Sequence, residues 1–314
     1  MILIANCSAS KRGKVTEGLQ LRNLPRSPLP IRFDAWIRAI EAHQDLVPAV
    51  DLYKGAHWQN IRACLPALSS FDSELWIVSA GLGLIEKDTL VPPYSATFSR
   101  RVPDSVGENI EMARDWWELL GQRNARLGFP KSLTELHSRS PEAVFLFCLS
   151  SPYVAVLLPE LEVLSAVASS RIAVFSAGFD QKSQPDTLMP LNARFQSHVG
   201  GSRGSLNSRV LLDVIKELPL DELNPIGMRK YLATIAETLP PLQKFARRPL
   251  IDREIQEQIA RHLKHHRQAS ASSTLRAFRD QGFACERSRF HHLFKSIKRP
   301  TRTTKAPGDA TKIH

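Results

Sequence analysis

The 314 residues are 43% apolar and 23% charged, which excludes wholesale disorder and allows one core of about 200 residues with an appendage. The net charge of +11 sits almost entirely in residues 246–314, which hold 16 Lys and Arg against 6 Asp and Glu, an electrostatic footprint for a polyanion. Cys7, Cys64, Cys148 and Cys285 lie far apart with no CxxC pair, which excludes a zinc ribbon and a secreted disulfide framework and points to a reducing, cytoplasmic setting.

The chain opens directly on the apolar run Ile2–Ala5, without the basic start and apolar stretch of a signal peptide. Leu75–Val78, Val144–Cys148 and Ile172–Phe175 are runs of the same kind, rich in β-branched or aromatic residues, and read as buried strands. Asn109–Gly121 has helical periodicity, with Ile110, Ala113, Trp117 and Leu120 on one side, and Tyr153–Val167 reads as a helix capped or kinked near Pro159. Pro152, Pro159, Glu160 and Glu162 interrupt the most apolar region, so no membrane span is expected. Strands alternating with helices predict an α/β fold with a mostly parallel central sheet covered on both faces. After about residue 205 the pattern turns helical, over Leu206–Leu218, Pro225–Leu239 and Ile251–His266. Ala269–Thr274 is a small, polar break. Leu275–Asp280, Gly282 and Cys285–Lys298 then read as a helix–turn–helix around Phe278, Phe283, Phe290, Leu293, Phe294 and Ile297. Pro300 ends the last helix, and residues 300–314 are expected to be disordered.

Each strand opens into a loop of small, polar residues: Cys7–Lys11, Ser79–Gly83, Ser150–Tyr153 and Ser176–Gly178. Such loops make tight strand-to-helix turns, and in open parallel sheets they also line the crevice where ligands bind. Asn6, Cys7, Ser8, Ser79, Gly81 and Ser151 are candidates for holding a ligand there, with Lys11 beside them for a phosphate. Cys7 is read first as a small buried thiol and second as a nucleophile. In Pro48–Tyr53, Asp51 either caps the helix that holds Trp58 or turns its carboxylate to the crevice. Asp88 precedes Pro92-Pro93-Tyr94, whose prolines fix Tyr94 either for packing or for stacking on a nucleobase. Gly200–Asn207 is a Gly/Ser loop with one arginine running into a helix. There Gly201, Ser202, Arg203, Ser205 and Asn207 fit a phosphate or a surface linker, and Leu206 fits a wedge for a base stack. The loop lacks the P-loop and Rossmann patterns. On the last helix Arg287, His291, Lys295 and Lys298 face away from the apolar side and suit DNA phosphates or a major groove. His262, His265 and His266 have no carboxylate or cysteine companion, so neither metal nor cofactor is expected. No Ser-His-Asp order, nucleophile elbow or His-Glu-x-x-His motif appears.

Cys7-Ser8-Ala-Ser-Lys11, Pro48-Ala-Val-Asp51-Leu-Tyr53, Val78-Ser79-Ala80-Gly81-Leu-Gly83-Leu84-Ile85 and Pro93-Tyr94-Ser95 occur in an order that resembles a class of bacterial and phage proteins. That class is similar to the uracil-DNA-glycosylase-like domain of archaeosine-synthesis enzymes and to phage-defence glycosylases acting on hypermodified DNA. The likeness covers residues 1–100 in motif and 140–210 in layout only. It implies a three-layer α/β/α nucleobase-handling domain, taken over residues 1–220; charge and helical periodicity, not the resemblance, add a helical, basic DNA-binding region over 221–299. The Gly-Gln-Asp-Pro-Tyr-His motif is absent, and no His-Pro-Ser follows the last strand, so substrate and catalytic residues would differ from those of uracil glycosylases.

The expected function is a DNA glycosylase that excises a modified base, such as a glucosylated or hydroxymethylated cytosine, from phage DNA in antiviral defence. Asp51 or Asp88 would stabilise the oxocarbenium-like sugar or activate water, and Tyr94, with Tyr53 nearby, would meet the flipped base. Two other readings fit the same residues: a transglycosylase of deazaguanine-type bases or its partner, and a non-catalytic DNA-binding module. The expected partner is DNA, with no membrane and a monomeric chain.

Overall fold

The computed structural model describes residues 1–25, 27–178, 186–242 and 246–298, and the tail expected to be disordered, 300–314, lies outside them. The chain forms two compact units, Met1–Pro241 and Leu242–His314.

The first unit is built on five strands: β1 (Ile2–Asn6), β2 (Glu74–Ser79), β3 (Gly83–Glu86), β4 (Phe145–Cys148) and β5 (Ile172–Phe175). Their order across the sheet is β3-β2-β1-β4-β5. β1 pairs in parallel with β2 and β4, and β4 with β5, while β3 runs antiparallel on the edge. Every residue of β1, β4 and β5 is buried, which requires cover on both faces and explains why these runs show no polar alternation. Two groups of helices provide that cover. One is α1 (Leu29–Glu41), α3 (Ile110–Arg126), α4 (Leu133–Arg139) and α5 (Ser151–Ala168), packed in succession. The other is α2 (Ala56–Ala67) against α6 (Leu206–Glu217). The mixed α/β class with a mostly parallel central sheet is thus as expected.

Three details differ from expectation. The loop Ser79–Gly83 turns back into β3 as a hairpin, with Gly83 at φ 82, rather than leading into a helix. α5 runs from Ser151 through Pro159 to Ala168. With the following turn, Ser151–Arg171 is long and apolar enough, by length and composition, to cross a membrane. Its inner side, including Val154, Leu157, Leu161 and Leu164, is buried in the core. Glu160 takes hydrogen bonds from Trp117 Nε1 (2.6 Å) and the Leu133 amide (2.5 Å), the behaviour of a core helix. Finally, α7 (Pro225–Thr238) buries Met228 and Leu232 in the first core, which moves the boundary from 220 to 241.

Gly121 on α3 measures how closely these helices pack. A Cβ there would lie 2.2 Å from the Lys131 carbonyl oxygen. In an open helix, Gly→Ala stabilises by up to about 1 kcal/mol. Here Gly121→Ala is expected to destabilise by about 2–4 kcal/mol, seen as a lower midpoint of urea unfolding. A raised midpoint would show that the Lys131 backbone yields freely.

The second unit packs α8 (Asp252–His265), α9 (Ala271–Asp280) and α10 (Arg287–Lys298) around Ile255, Ile259, Leu275, Phe278, Phe290 and Phe294. Parallel pairing of Arg248–Pro249 with Phe283–Ala284 fixes the turn between α9 and α10.

Candidate functional site

Three helices begin at the carboxyl ends of the parallel strands, and side chains stitch their first turns into a ring. At the end of β1, Asn6 Oδ1 accepts from the Ser150 amide (2.8 Å) and its Nδ2 donates to the Cys7 carbonyl (2.8 Å). Ser8 Oγ donates to the Lys54 carbonyl (3.0 Å), just before α2. Ser151 Oγ, at the start of α5, donates to the Ala177 carbonyl (3.0 Å) at the end of β5. Asn207, in the first turn of α6, accepts from the Ala177 amide (2.9 Å) and donates to the Leu149 carbonyl (2.7 Å). Asn60 Nδ2 closes the ring on Ser208 Oγ (3.1 Å). The N-cap positions of α2, α5 and α6 are Gly55, Ser150 and Ser205, and none supplies a side-chain cap. First-turn amides without side-chain caps, beside exposed Gly178 and Gly204, give this edge a positive partial charge that is strongest at α2, since in α5 Pro152 has no N–H and the Tyr153 amide bonds the Ser150 carbonyl (2.9 Å), and at α6 the Leu206 amide bonds the Arg203 carbonyl.

His57 stands in the first turn of α2, with its ring 6.3 Å from that of Trp58. Burial pushes its pKa down to about 4, against a bond to the Asn6 backbone that raises it. Its imidazole is therefore neutral at physiological pH. His57 Nε2 is buried without a hydrogen-bond partner among the described residues, as is Ser176 Oγ at the end of β5. His57 belonged to no sequence motif. Its one signal is Gly55, where a capping Ser, Thr, Asp or Asn is usual.

Beside the ring lies a sealed polar network. Tyr94 OH meets Tyr53 OH (2.9 Å) and Ser79 Oγ (2.5 Å), and Ser79 Oγ also accepts from the Gly81 and Leu82 amides (3.2 and 3.0 Å). Tyr53, Ser79 and Tyr94 are fully buried. Burial raises the pKa of both phenols. A Cβ on Gly81 would lie 2.6 Å from Tyr94 Cε2, and Lys11 Nζ covers the ring at 4.3 Å. Tyr94 therefore has no face free to stack on a base, and Tyr53, Ser79 and Gly81 line no crevice. The cause is the β2–β3 hairpin, which folds its small residues inward. Cys7 is the buried thiol of the first reading, 3.0 Å from Tyr153 OH. Lys11 Nζ donates to the Ser8 carbonyl (2.7 Å), and burial lowers its pKa. Tyr94→Phe is expected to cost about 1–2 kcal/mol of stability, read as a lower midpoint of urea unfolding; an unchanged midpoint would show that the phenol bonds add nothing net.

Neither aspartate reaches the ring. Asp51 is exposed on the short helix Ala49–Leu52 and caps nothing, since α2 starts from Gly55 at φ 92. β3 carries the chain back along the sheet, so the Lys87 amide bonds the Leu75 carbonyl (3.0 Å). Asp88, paired with exposed Lys87, thus lies at the amino edge, past the level of Leu75, which is itself about 13 Å from Ser79 at strand rise. In the Gly200–Asn207 loop, Ser202 and Ser205 bond each other (3.2 Å), Gly201 takes Gln196 Nε2 (2.6 Å) and Arg203 leans on Gln196 (3.4 Å). Leu206 is buried and cannot act as a wedge. In the second unit Arg287 and Lys295 are exposed. His291 is half-buried, and Lys298 bonds the Ala269 carbonyl (3.2 Å). Among the described residues no three His, Cys, Asp or Glu side chains cluster to hold a metal.

No family model matches the chain, and comparison with curated proteins gave no match.

Proposed function

We propose that the chain is a DNA glycosylase that releases a modified base, with the ring at the carboxyl ends of β1, β4 and β5 as its reaction site. The uracil-glycosylase-like relationship and the helix–turn–helix role of α9 and α10 are part of this reading, as is a cytoplasmic role against phage DNA. The observation that carries it is the convergence of three helix N-termini without side-chain caps. When the C1′–N bond breaks, the base departs with the electron pair, and oriented amides stabilise the negative charge that develops on it. Water adds to C1′ through its oxygen, and its proton ends on the departing base. His57, neutral and partly buried, is the group proposed to relay that proton. Asp51 and Asp88 have no part in this scheme. Loading the second unit with cations suits it to holding DNA phosphates.

The test is incubation of the purified protein with unmodified DNA and with phage DNA carrying substituted cytosines. Abasic sites are counted with an aldehyde-reactive probe, and free bases are followed by mass spectrometry. Sites confined to modified DNA, with the modified base in solution, support hydrolysis. Release that depends on an added free base supports the transglycosylase reading instead. Tight binding without abasic sites supports a non-catalytic DNA-binding module, the reading that the exposure of Asp51 and Asp88 favours.

A further inference from the structure

The second unit carries a shallow, open surface of one charge sign. A cleft of about 670 Å³ opens between the end of α8 and the start of α9, lined by His262, Lys264, His265, His266, Arg267 and Ser273. No carboxylate lines it. The side chains of Lys264, His265 and Arg267 are exposed and have no hydrogen-bond or ion-pair partner among the described residues. The rings of His262 and His266 lie 4.7 Å apart. From α9 and α10, Thr274, Gln281 and Phe290 line a neighbouring gap with His262, and none of them titrates near neutrality. Lys298 adds another cation through its bond to the Ala269 carbonyl. Ser270 and Ser273 form a capping box that orients the first turn of α9 at the cleft wall.

The five cationic or protonatable groups that line it, with Lys298 beside them, repel one another unless an anion joins them. A single phosphate neutralises only one or two such groups. An open cleft with charges spread along it fits a chain of phosphates, and the unit's excess of Lys and Arg fits a polyanion in turn. We propose that this cleft grips the phosphate backbone of duplex DNA and that protonation of His262 tightens the grip. The proposal rests on the reading of the protein as DNA-directed, not on glycosylase chemistry. Burial, and then the charges of His266 and His265, lowers the pKa of His262. A bound phosphate acts the other way, so binding takes up protons and affinity rises as pH falls from 7.5 to 5.5.

The experiment measures binding of the full chain to an unmodified 20-base-pair duplex by fluorescence anisotropy, across KCl concentration and pH. A Lys264→Glu/Arg267→Glu variant should bind tenfold or more weakly, and the slope of log K against log salt should fall by about 2. His262→Gln should abolish a several-fold tightening between pH 7.5 and 5.5 while leaving the pH 7.5 affinity nearly intact. Lys264→Gln/Arg267→Gln, a milder change, gives the same direction if the glutamates disturb folding. Unchanged affinity and salt slope in a variant with native thermal unfolding overturns the proposal. Displacement of the duplex by low-millimolar inorganic phosphate also overturns it, since that marks a site for a single anion. Because the duplex is unmodified and no turnover is read, failure of the glycosylase assay does not bear on this result.

Discussion

Under the proposed glycosylase scheme, exchange of His57 for asparagine is expected to lower base release by two to four orders of magnitude at pH 7.5, with DNA affinity unchanged. The imidazole meets two requirements of a proton relay. It is neutral at working pH, because burial holds its pKa at about 4, and its Nε2 is not committed to another group among the described residues. Wild-type turnover should therefore stay level from pH 8 to about 5 and decline as pH approaches 4. The same depression makes His57 a stability determinant. An unfolded histidine titrates near 6.5, so between 6.5 and 4 the unfolded chain binds the extra proton. The contribution is fully present above pH 6.5 and is lost as pH falls toward 4, to the extent of about 3 kcal/mol. Urea unfolding at pH 7 and 4.5 reads this directly, and His57→Gln should flatten the difference. A His57→Asn protein with normal base release ends the relay role. Equal stability at both pH values would mean the ring is not held neutral by burial.

Why His57 escaped the sequence while the sheet did not is a matter of how each feature is encoded. β1, β4 and β5 are buried on both faces, so each is a continuous apolar run that local pattern reveals. β3 is four residues long on an edge, and the loop before it has the same small residues as a strand-to-helix turn. Antiparallel pairing of Trp76–Ser79 with Gly83–Glu86 makes it a hairpin, and that difference carried Asp88 to the opposite edge and folded Ser79 and Gly81 inward. Pro92 and Pro93 do fix the backbone ahead of Tyr94. Which way the ring turns was decided by Tyr53, Ser79 and Gly81, at least a dozen residues distant. Asn6, Ser8 and Ser151 were legible as residues of the strand ends, and Asn207 as the end of the Gly/Ser loop, because small and amide side chains there bond backbone. Their task is to tie the ring together, so the groups left for a ligand are backbone amides, which a sequence does not display. The cationic second unit was legible as composition. The cleft within it needed α8 and α9 to meet.

A large loss of stability from a single carboxylate is expected at Asp104, which no motif marked. It is buried at 7% exposure and accepts from the Arg22 amide (3.1 Å), Arg22 Nε (2.9 Å), Arg22 Nη2 and Ser95 Oγ (2.8 Å). Its own carbonyl receives the Thr97 amide (2.9 Å), which shapes the segment that sets Phe98 against Tyr153 at 5.0 Å. Removing a paired, buried charge strands its donors, at about 3–5 kcal/mol. Arg22 is 45% exposed and recovers water, so Asp104→Ala is expected to cost about 2–3 kcal/mol. Burial pushes the Asp104 pKa up, but the bonds from Arg22 and Ser95 outweigh it and hold the carboxyl below the usual range. The unfolded chain therefore takes the proton first. This contribution is fully present above about pH 3.9 and disappears as pH falls through the lower folded value. Its window begins where that of His57 ends, so the two are separable on one acid titration of unfolding free energy. His57→Gln should remove the upper descent, and Asp104→Asn should lower the plateau and remove the final one. An Asp104→Asn protein that keeps wild-type stability at pH 7 and the full loss below pH 4 would assign that loss to other carboxylates and leave the Arg22 pair a surface contact.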